Sequence, residues 1–556
     1  MLNVVEKVEK KKDKLFNFRP AFFTAIFLAF GILFGYYKII YGVSSWWLLT
    51  LAPVLILPLL FSEDKRGLFV RSLTMALLLS TFLLGFCCIR YQLYDYTRCG
   101  YYNGEYTVTG TVVSRVEREE YFQIVLKDVS VDGKEEKGLL NAYLPASYAD
   151  NLHIADIVVA RGSVQTNVAY NEEYFRANAI NDGKRYVMRN VTACQYAGRA
   201  KDVFLLARDR VERVVYAGMD ESAASVTLGV LMGDTTKIES SLLENMRRGG
   251  VAHIFAVSGL HVGALYGFLI LLFSKTRLRK TNVAVQFCIL SASLLFYAGV
   301  CGFSPSIVRA MTLCLVGYCM RRLAGASDTL NTLGVAAIII LLVAPCSLFE
   351  IGFQLSFTAC LGIVLFAKRI GYVCDEGYKL YRKVLPRRYT EEEKDILAKG
   401  DTLPLTVGER CFASVASLLS ASLAAQIFTA PLQYMAFGYL SGWSFLLNLI
   451  FVPLVGAVFA LLLLCVFAAC LLPLWCSGYV LYIPAMLINA VLLLFEVVDF
   501  SSFTLTGIQL SSGSCICYYG GIVFLTDKWN VTKRQRNLLS VACFIAFIVI
   551  LALLNL

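Results

Sequence analysis

Apolar runs of about twenty residues recur along this chain from residue 20 to residue 555, and that spacing constrains the fold more than any other feature. Such a run crosses the hydrocarbon of a bilayer as one helix, because a helix satisfies its own backbone hydrogen bonds where water is absent. The runs fall near 20–41, 46–61, 68–90, 251–273, 282–301, 304–320, 329–345, 350–367, 411–437, 443–472, 478–498, 514–526 and 538–555. They predict a mainly α, polytopic helical membrane protein of about thirteen spans, with 443–472 readable as a re-entrant half-helix followed by a full span. A hydrophobic content of 58% and a mean hydropathy of +0.64 agree with that class.

The net charge of +11 suggests nucleic-acid binding, but its distribution records topology instead. Lysines and arginines crowd before the first run (Lys7, Lys10, Lys11, Lys12, Lys14, Arg19), at Lys65/Arg66, at Lys275/Arg277/Arg279/Lys280, at Arg321/Arg322 and along 368–410. The alternate loops at 345–350, 438–442 and 499–513 contain neither. By the positive-inside rule the N-terminus is cytoplasmic, and residues 91–250 and the C-terminus are outside. The basic, then apolar N-terminus lacks a convincing cleavage site and reads as a retained anchor.

Residues 100–197 break the apolar pattern. EYTVTGTVVSRV, YFQIVLKDVSV, GLLNAYLP and HIADIVVARGSVQT alternate apolar and polar residues, as half-buried strands do. About five strands in this length suit a small β-barrel of OB-fold type inserted outside the membrane. The chain thus divides into an anchor of about three spans (1–98), an extracytoplasmic OB-fold-like domain (99–198), an amphipathic helical linker (199–249) and a transmembrane domain (250–556) with a cytoplasmic loop near 368–410. Cys99 and Cys194 bracket the β domain, either as a disulfide or as two unrelated thiols. In the linker, Val203, Leu206, Ala207, Val211 and Val214 share a face that lies on the outer membrane surface or packs against the β domain, with Arg208, Asp209 and Arg213 elsewhere.

Polar residues at membrane depth are costly and face a cavity or another helix. RRGGVAHIFAVSGLHVGALYG, from Arg247 to Gly267, carries two of the three histidines, His253 and His261, with Ser258 on the face of His261. They bond neighbouring helices or line a wet path. Gly259, Gly263 and Gly267 in the same run predict close approach of another helix. FSPSIVRAM places Arg309 one turn inside the membrane, to snorkel outward or to meet an anion. Glu350, Gln354 and Thr358 form one stripe; Ser422, Gln426, Thr429 and Gln433 form another, with Pro431 bending the helix. Asn448 and Pro453 interrupt a further apolar run. Four such stripes favour a polar internal path. Two histidines at this spacing, without a carboxylate, do not make a metal site, and no cofactor is expected.

LGVLMGDTTKI, RRGGVAHIFAVSGLHVG, SPSIVRAM, LFEIGFQLSFTACLGI and APLQYMAFGYLSGWSFLLNLIFVPLVG, in this order over roughly 222–500, resemble the membrane core of the ComEC family of competence proteins. That family moves single-stranded DNA across the bacterial cytoplasmic membrane during natural transformation. The resemblance implies a channel rather than an enzyme, with His253, Ser258, His261, Arg309, Gln354, Gln426 and Asn448 along the translocation path. It also implies competence partners, including an external DNA receptor and a cytoplasmic helicase. The helicase would supply energy, since no GxxxxGK[ST] loop occurs. Many members carry a metallo-β-lactamase-like nuclease domain; His153, His253 and His261 cannot build its metal cluster, so the form expected here lacks it.

The external domain fits less closely. YNEEYF stands where members have an Asn-Pro-Gly-like turn, and residues 100–197 hold ten Lys/Arg against thirteen Asp/Glu. Its tyrosines serve as base-stacking platforms or as packing. Two other function classes stay open. One is a transporter or flippase for an anionic lipid or polysaccharide precursor. The other is an intramembrane hydrolase using Ser258 and His261, which lacks an acid to orient the histidine.

Overall fold

The computed structural model describes residues 19–41, 65–117, 121–145, 148, 152–166, 177–251, 259–276, 281–323, 328–384, 407–497, 504–525 and 533–555. Two helices, α1 (Pro20–Tyr41) and α2 (Lys65–Thr97), lead into strands β1 (Asn103–Glu117), β2 (Phe122–Val131), β3 (Lys134–Glu135), β4 (Leu139–Leu144) and β5 (Asp156–Thr166). A short helix, α3 (Ala177–Asp182), precedes β6 (Lys184–Arg199). The helical part follows with α4 (Val203–Gly218), α5 (Glu221–Met232), α6 (Ser240–Arg248), α7 (Gly259–Lys275), α8 (Val283–Val300), α9 (Pro305–Leu323) and α10 (Thr329–Val343). After a 3₁₀ turn at Pro345–Phe349 come α11 (Ile351–Val384), α12 (Val407–Phe437), β7 (Tyr439–Ser441), α13 (Ser444–Leu471), α14 (Ser477–Val497), β8 (Thr504–Thr506), α15 (Ser512–Leu525) and α16 (Lys533–Asn555).

Eight described helices are long and apolar enough to cross a membrane, and the chain is a multi-pass membrane protein. Of the thirteen expected runs, 46–61 lies outside the described residues. Four others form helices that fall short. α7, α10 and α15 span 17, 15 and 14 residues, and α9 carries Arg309, Arg321 and Arg322. The expected break in 443–472 is absent: α13 continues for 28 residues through Pro453, with Asn448 inside it. Pro453 removes one backbone donor, a loss that packing on both sides of the helix outweighs.

The β domain is a six-stranded sheet in which each of the five long strands pairs with two other long strands, and β2 also pairs with the short β3. β1 pairs antiparallel with β2 and β5, β2 with β4, and β5 with β6, while β4 and β6 run parallel. Period-two alternation turns Val108, Val112, Ile124, Leu126, Leu140, Ala142, Val158, Ala160 and Val164 into one core. Tyr102 and Tyr106 pack against that core, whereas Tyr101 is 70% exposed. Cys99 and Cys194 are free thiols half-buried beside the same core, and burial pushes both thiols up.

Glu136 closes the base of this domain. Its carboxylate accepts from Tyr102 Oη and Tyr186 Oη at 2.8 Å each and from the Gly100 N–H at 3.2 Å, and pairs with Lys134 at 2.7 Å. Burial alone would raise its pKa, but the bonds from Lys134, Tyr186, Tyr102 and Gly100 hold it at about 2. Burial and the same carboxylate push Tyr102 up to about 12.

The linker helix α4 packs against the β domain at its start and enters the large helical core further on. Val203 is 65% exposed, while Val214 and Val215 enter the large helical core and Leu205 meets Ile154 and Ala155 of the β domain. Asp209, placed by periodicity on the polar side, is 2% exposed and is paired with Arg199 and Arg213. Two basic partners neutralise it, which is what allows a carboxylate to be buried. α5 is apolar all round and is buried from Ala223 through Met232.

Close helix contacts arise at glycines other than those expected. Among the described residues, a Cβ at Gly263 or Gly267 would meet nothing within 4 Å, so the GxxxGxxxG run seats no described helix there. By contrast, a Cβ at Gly31 would stand 2.0 Å from the Phe82 carbonyl oxygen, and one at Gly85 would stand 2.3 Å from that of Leu28. We predict that Gly31→Leu drives α1 and α2 apart and costs about 1–3 kcal/mol, read as a lower unfolding midpoint in detergent. Gly263→Leu should leave that midpoint unchanged.

A second prediction concerns acid. Because Glu136 titrates below its unfolded value of about 4.3, it stabilises the fold above that pH. Its contribution disappears as pH falls toward about 2. The midpoint difference between wild type and Glu136→Gln should therefore shrink over this window; parallel curves would contradict the clamp.

Candidate functional site

Two apolar cores divide the helical part. The larger gathers residues of α4–α9, α13 and α14, including Val262, Ile307, Ala310, Leu447 and Phe459. The other joins α1, α2, α3, α10, the 3₁₀ turn and the start of α11, including Ile32, Ile89, Ile180, Cys346 and Phe353. α12 packs along α11, where a Cβ at Gly362 would stand 2.5 Å from the Ala424 carbonyl oxygen. Between α9/α13 on one side and α11/α12 on the other runs a seam bridged by two polar contacts, Arg309–Glu350 and Gln426–Ser444.

Arg309 and Glu350 meet across this seam. Arg309 lies one turn into α9, four residues after the helix begins at Pro305, and is 4% exposed. Glu350 precedes α11 and is 8% exposed; its carboxylate stands 3.6 Å from the guanidinium. Of the two roles open to Arg309, snorkelling outward is not what it adopts. Gln354, one turn on, donates back to the Leu348 carbonyl at 3.0 Å, and Thr358 donates to the Gln354 carbonyl.

Further along the same seam, Gln426 of α12 donates to Ser444 Oγ at the start of α13 at 2.7 Å. Ser422 lies one turn before Gln426, and Asn448 one turn after Ser444. Gln433 donates to Thr429, which itself bonds back to its own helix. α12 passes through Pro431 as one helix.

Arg247 and Arg248 are exposed at the end of α6 and both pair with Glu244. Gly250 then lies on the seam: with φ of +75° and space for no Cβ (Ser444 Cβ would be 2.3 Å away), the position requires glycine. His253 and Ser258 lie outside the described residues. His261 is fully buried on α7 in the larger core, its ring 4.6 Å from that of Phe459. The structure therefore brings Arg309 and Gln354 to one end of the seam and Gln426 and Asn448 to another, with His261 behind it.

Several polar atoms around the seam are incompletely hydrogen-bonded. Arg309 Nε, Ser422 Oγ, Ser441 Oγ and Asn448 Oδ1 are buried with no hydrogen-bond partner among the described residues. Similar atoms of Asn141, Arg185, Arg208 and Ser291 are scattered elsewhere. Buried polar groups are ordinarily paired, so the four spare donors and acceptors around the seam leave hydrogen-bonding capacity for a polar visitor.

Three contributors were not visible as site residues in the sequence. Asn181 of α3 donates to Glu350 at 2.9 Å and to Ser347 Oγ at 3.1 Å, and it accepts from Gln92 of α2 at 2.9 Å. Gln92 falls just past the expected run at 68–90; the candidate span instead covers Ala76–Thr97 and contains it. Ser444 was hidden as a small residue at a helix start. Among the described residues, no cluster of three or more His, Cys, Asp or Glu could hold a metal ion.

Comparison with known proteins bears on the same region. Residues 230–532, more than half of the chain, match the family model described as Competence protein. A segment of 196 residues is 24% identical to ComE operon protein 3 of Bacillus subtilis (strain 168), covering 35% of this chain and 24% of that protein. Another, of 138 residues, is 30% identical to Uncharacterized protein MG316 homolog of Mycoplasma pneumoniae (strain ATCC 29342 / M129 / Subtype 1), covering 25% of this chain and 33% of that one. The chain thus spans a third or less of the length of these relatives. No solved structure matches significantly. Since the family model takes in α9, α11, α12 and α13, every helix that flanks the seam, this membrane protein belongs to the competence protein family.

Proposed function

We propose that the chain acts in DNA uptake, as a channel subunit that carries a single DNA strand across the bacterial cytoplasmic membrane during natural transformation, without catalysis. Membership of a competence family supports the DNA-uptake role. The observation that supports the transport reading is a set of buried polar groups within the helical part: Arg309, where the two cores meet, and the unpaired Ser422 and Asn448 on α12 and α13. Conduction needs sites that bind a phosphate and then release it. Arg309 offers a positive group, and Glu350 beside it weakens any phosphate's hold by competing for the same donors. Hydroxyls and amides at Ser422, Gln426, Ser444 and Asn448 continue with neutral hydrogen bonding.

Orientation follows from charge. Arg321 and Arg322 end α9 opposite Arg309, which supports a cytoplasmic end there and an outward-facing Arg309 end. Asn181 reaches Glu350 from the β-domain side, in keeping with a β domain outside. Five long strands, each paired with two others of the five and with β4 and β6 parallel, support an OB-like barrel for that domain. Its net acidity argues that it orients DNA or an external receptor rather than gripping DNA alone. A cytoplasmic helicase would pull the strand.

The test is uptake of labelled double-stranded DNA in a knockout complemented with variants. Arg309→Gln, His261→Ala and Gln426→Leu should each cut cytoplasmic DNA by about tenfold or more. Surface-bound DNA should stay normal, and uptake is compared at equal membrane level of each variant, since Arg309→Gln breaks a buried pair. Uptake at wild-type level in all three would remove the path from these residues. A knockout with an envelope defect and normal transformation would instead favour a transporter of anionic lipid or polysaccharide precursors.

A further inference from the structure

The Arg309–Glu350 pair is looser than such pairs ordinarily are. Glu350 Oε2 stands 3.6 Å from Arg309 Nη1, whereas a relaxed guanidinium–carboxylate pair closes to about 2.7–2.9 Å and often makes two parallel bonds. Arg309 is buried, yet its Nε has no hydrogen-bond partner among the described residues. Its neighbour Gly352 keeps the space beside it open, since a Cβ there would stand 3.0 Å from Nη2.

Glu350 is held from the opposite side. Asn181 Nδ2 donates to Glu350 Oε1 at 2.9 Å and to Ser347 Oγ at 3.1 Å. Gln92 fixes the amide from behind: its Nε2 donates to Asn181 Oδ1 at 2.9 Å, and its Oε1 accepts from the Cys346 N–H at 2.8 Å. A carboxylate only accepts, so the Asn181 nitrogen must face Glu350 and its oxygen must face Gln92. Both amides are thereby locked in one orientation. The anchorage continues through Arg185 to Asp95 at 2.8 Å and Tyr96 Oη to the Lys184 carbonyl at 3.0 Å, which tie the start of β6 to the end of α2.

We propose that Asn181, supplied by the β domain, is a positioning residue for Arg309: by drawing Glu350 back it keeps the guanidinium donors open to a phosphodiester oxyanion. This rests on the DNA-transport reading and names the group that tunes its anion site. Without the amide, Glu350 swings onto Arg309, closes two hydrogen bonds and fills the donors that a phosphate would use. With the amide, the charge of Arg309 stays balanced while its hydrogen-bonding capacity stays spare. DNA and lipid headgroups both carry a phosphodiester; the transport reading assigns this site to DNA, and the ligand comparison below separates the two.

The experiment uses the full chain, Asn181→Ala, and Asn181→Ala combined with Glu350→Asp. The shorter acid keeps the negative charge but withdraws it by one C–C bond, about 1.5 Å, so it cannot close on Arg309. In cells, Asn181→Ala should lower transformation by about tenfold or more, with surface DNA binding intact, and the double variant should recover most of it. In purified protein in maltoside detergent, a short thymidine oligonucleotide should raise the unfolding midpoint of wild type and the double variant but not of Asn181→Ala. Phosphatidylglycerol should not reproduce the shift. An oligonucleotide shift in Asn181→Ala equal to wild type, a double variant no better than the single one, or a shift produced by the lipid alone overturns the proposal. Should deletion of the gene leave transformation intact, the transport reading falls, while the oligonucleotide shift still reports on the positioning role.

Discussion

The ion pair between Arg309 and Glu350 stands where the two apolar cores of the helical domain meet, and the arrangement around it depends on its being kept. Removing one member of a buried pair leaves an uncompensated charge and costs about 3–5 kcal/mol, so α9 and the start of α11 cannot drift apart freely. The pair also reaches beyond the helices. Through Asn181 and Gln92 it is bonded to α3 and α2, and therefore to the β domain and the N-terminal helices that carry it. One seam thus connects three parts of the chain that lie far apart in sequence.

Hydropathy made much of this legible. The membrane class, the β domain between two helical regions and the place of Arg309 one turn into its helix follow from run length, period-two alternation and a proline-started helix. Of the polar stripe from Glu350, the structure pairs Glu350 with Arg309, whereas Gln354 and Thr358 bond back to carbonyls of their own segment. What periodicity does not encode is the partner. Asn181 sits in a short helix with no pattern of its own, and its bond to Glu350 spans 169 positions. Asp209 illustrates the same limit: a charged residue reads as exposed until Arg199 and Arg213 are brought to it by the fold.

Glycine shows why a motif needs its context. GxxxGxxxG at Gly259–Gly267 suggests a helix interface, yet among the described residues no side chain or backbone comes within 4 Å of a Cβ at two of its three members. The closest crossings occur at Gly31 and Gly85, where carbonyl oxygens of the partner helix fill the space. Gly250 is a third case, set by backbone geometry and by Ser444 rather than by helix packing. Small residues permit close approach, and the surrounding apolar surface decides whether it happens.

A seam that carries a DNA strand differs from one that merely holds helices together in what touches it during uptake. A photo-crosslinking residue in place of Gln354, one turn from Glu350 on the same face, reports on that directly when cells are irradiated while importing labelled DNA. The predicted result is covalent attachment to single-stranded DNA that appears only during active uptake. Normal DNA import with crosslinks to lipid or protein alone would contradict a path along this seam.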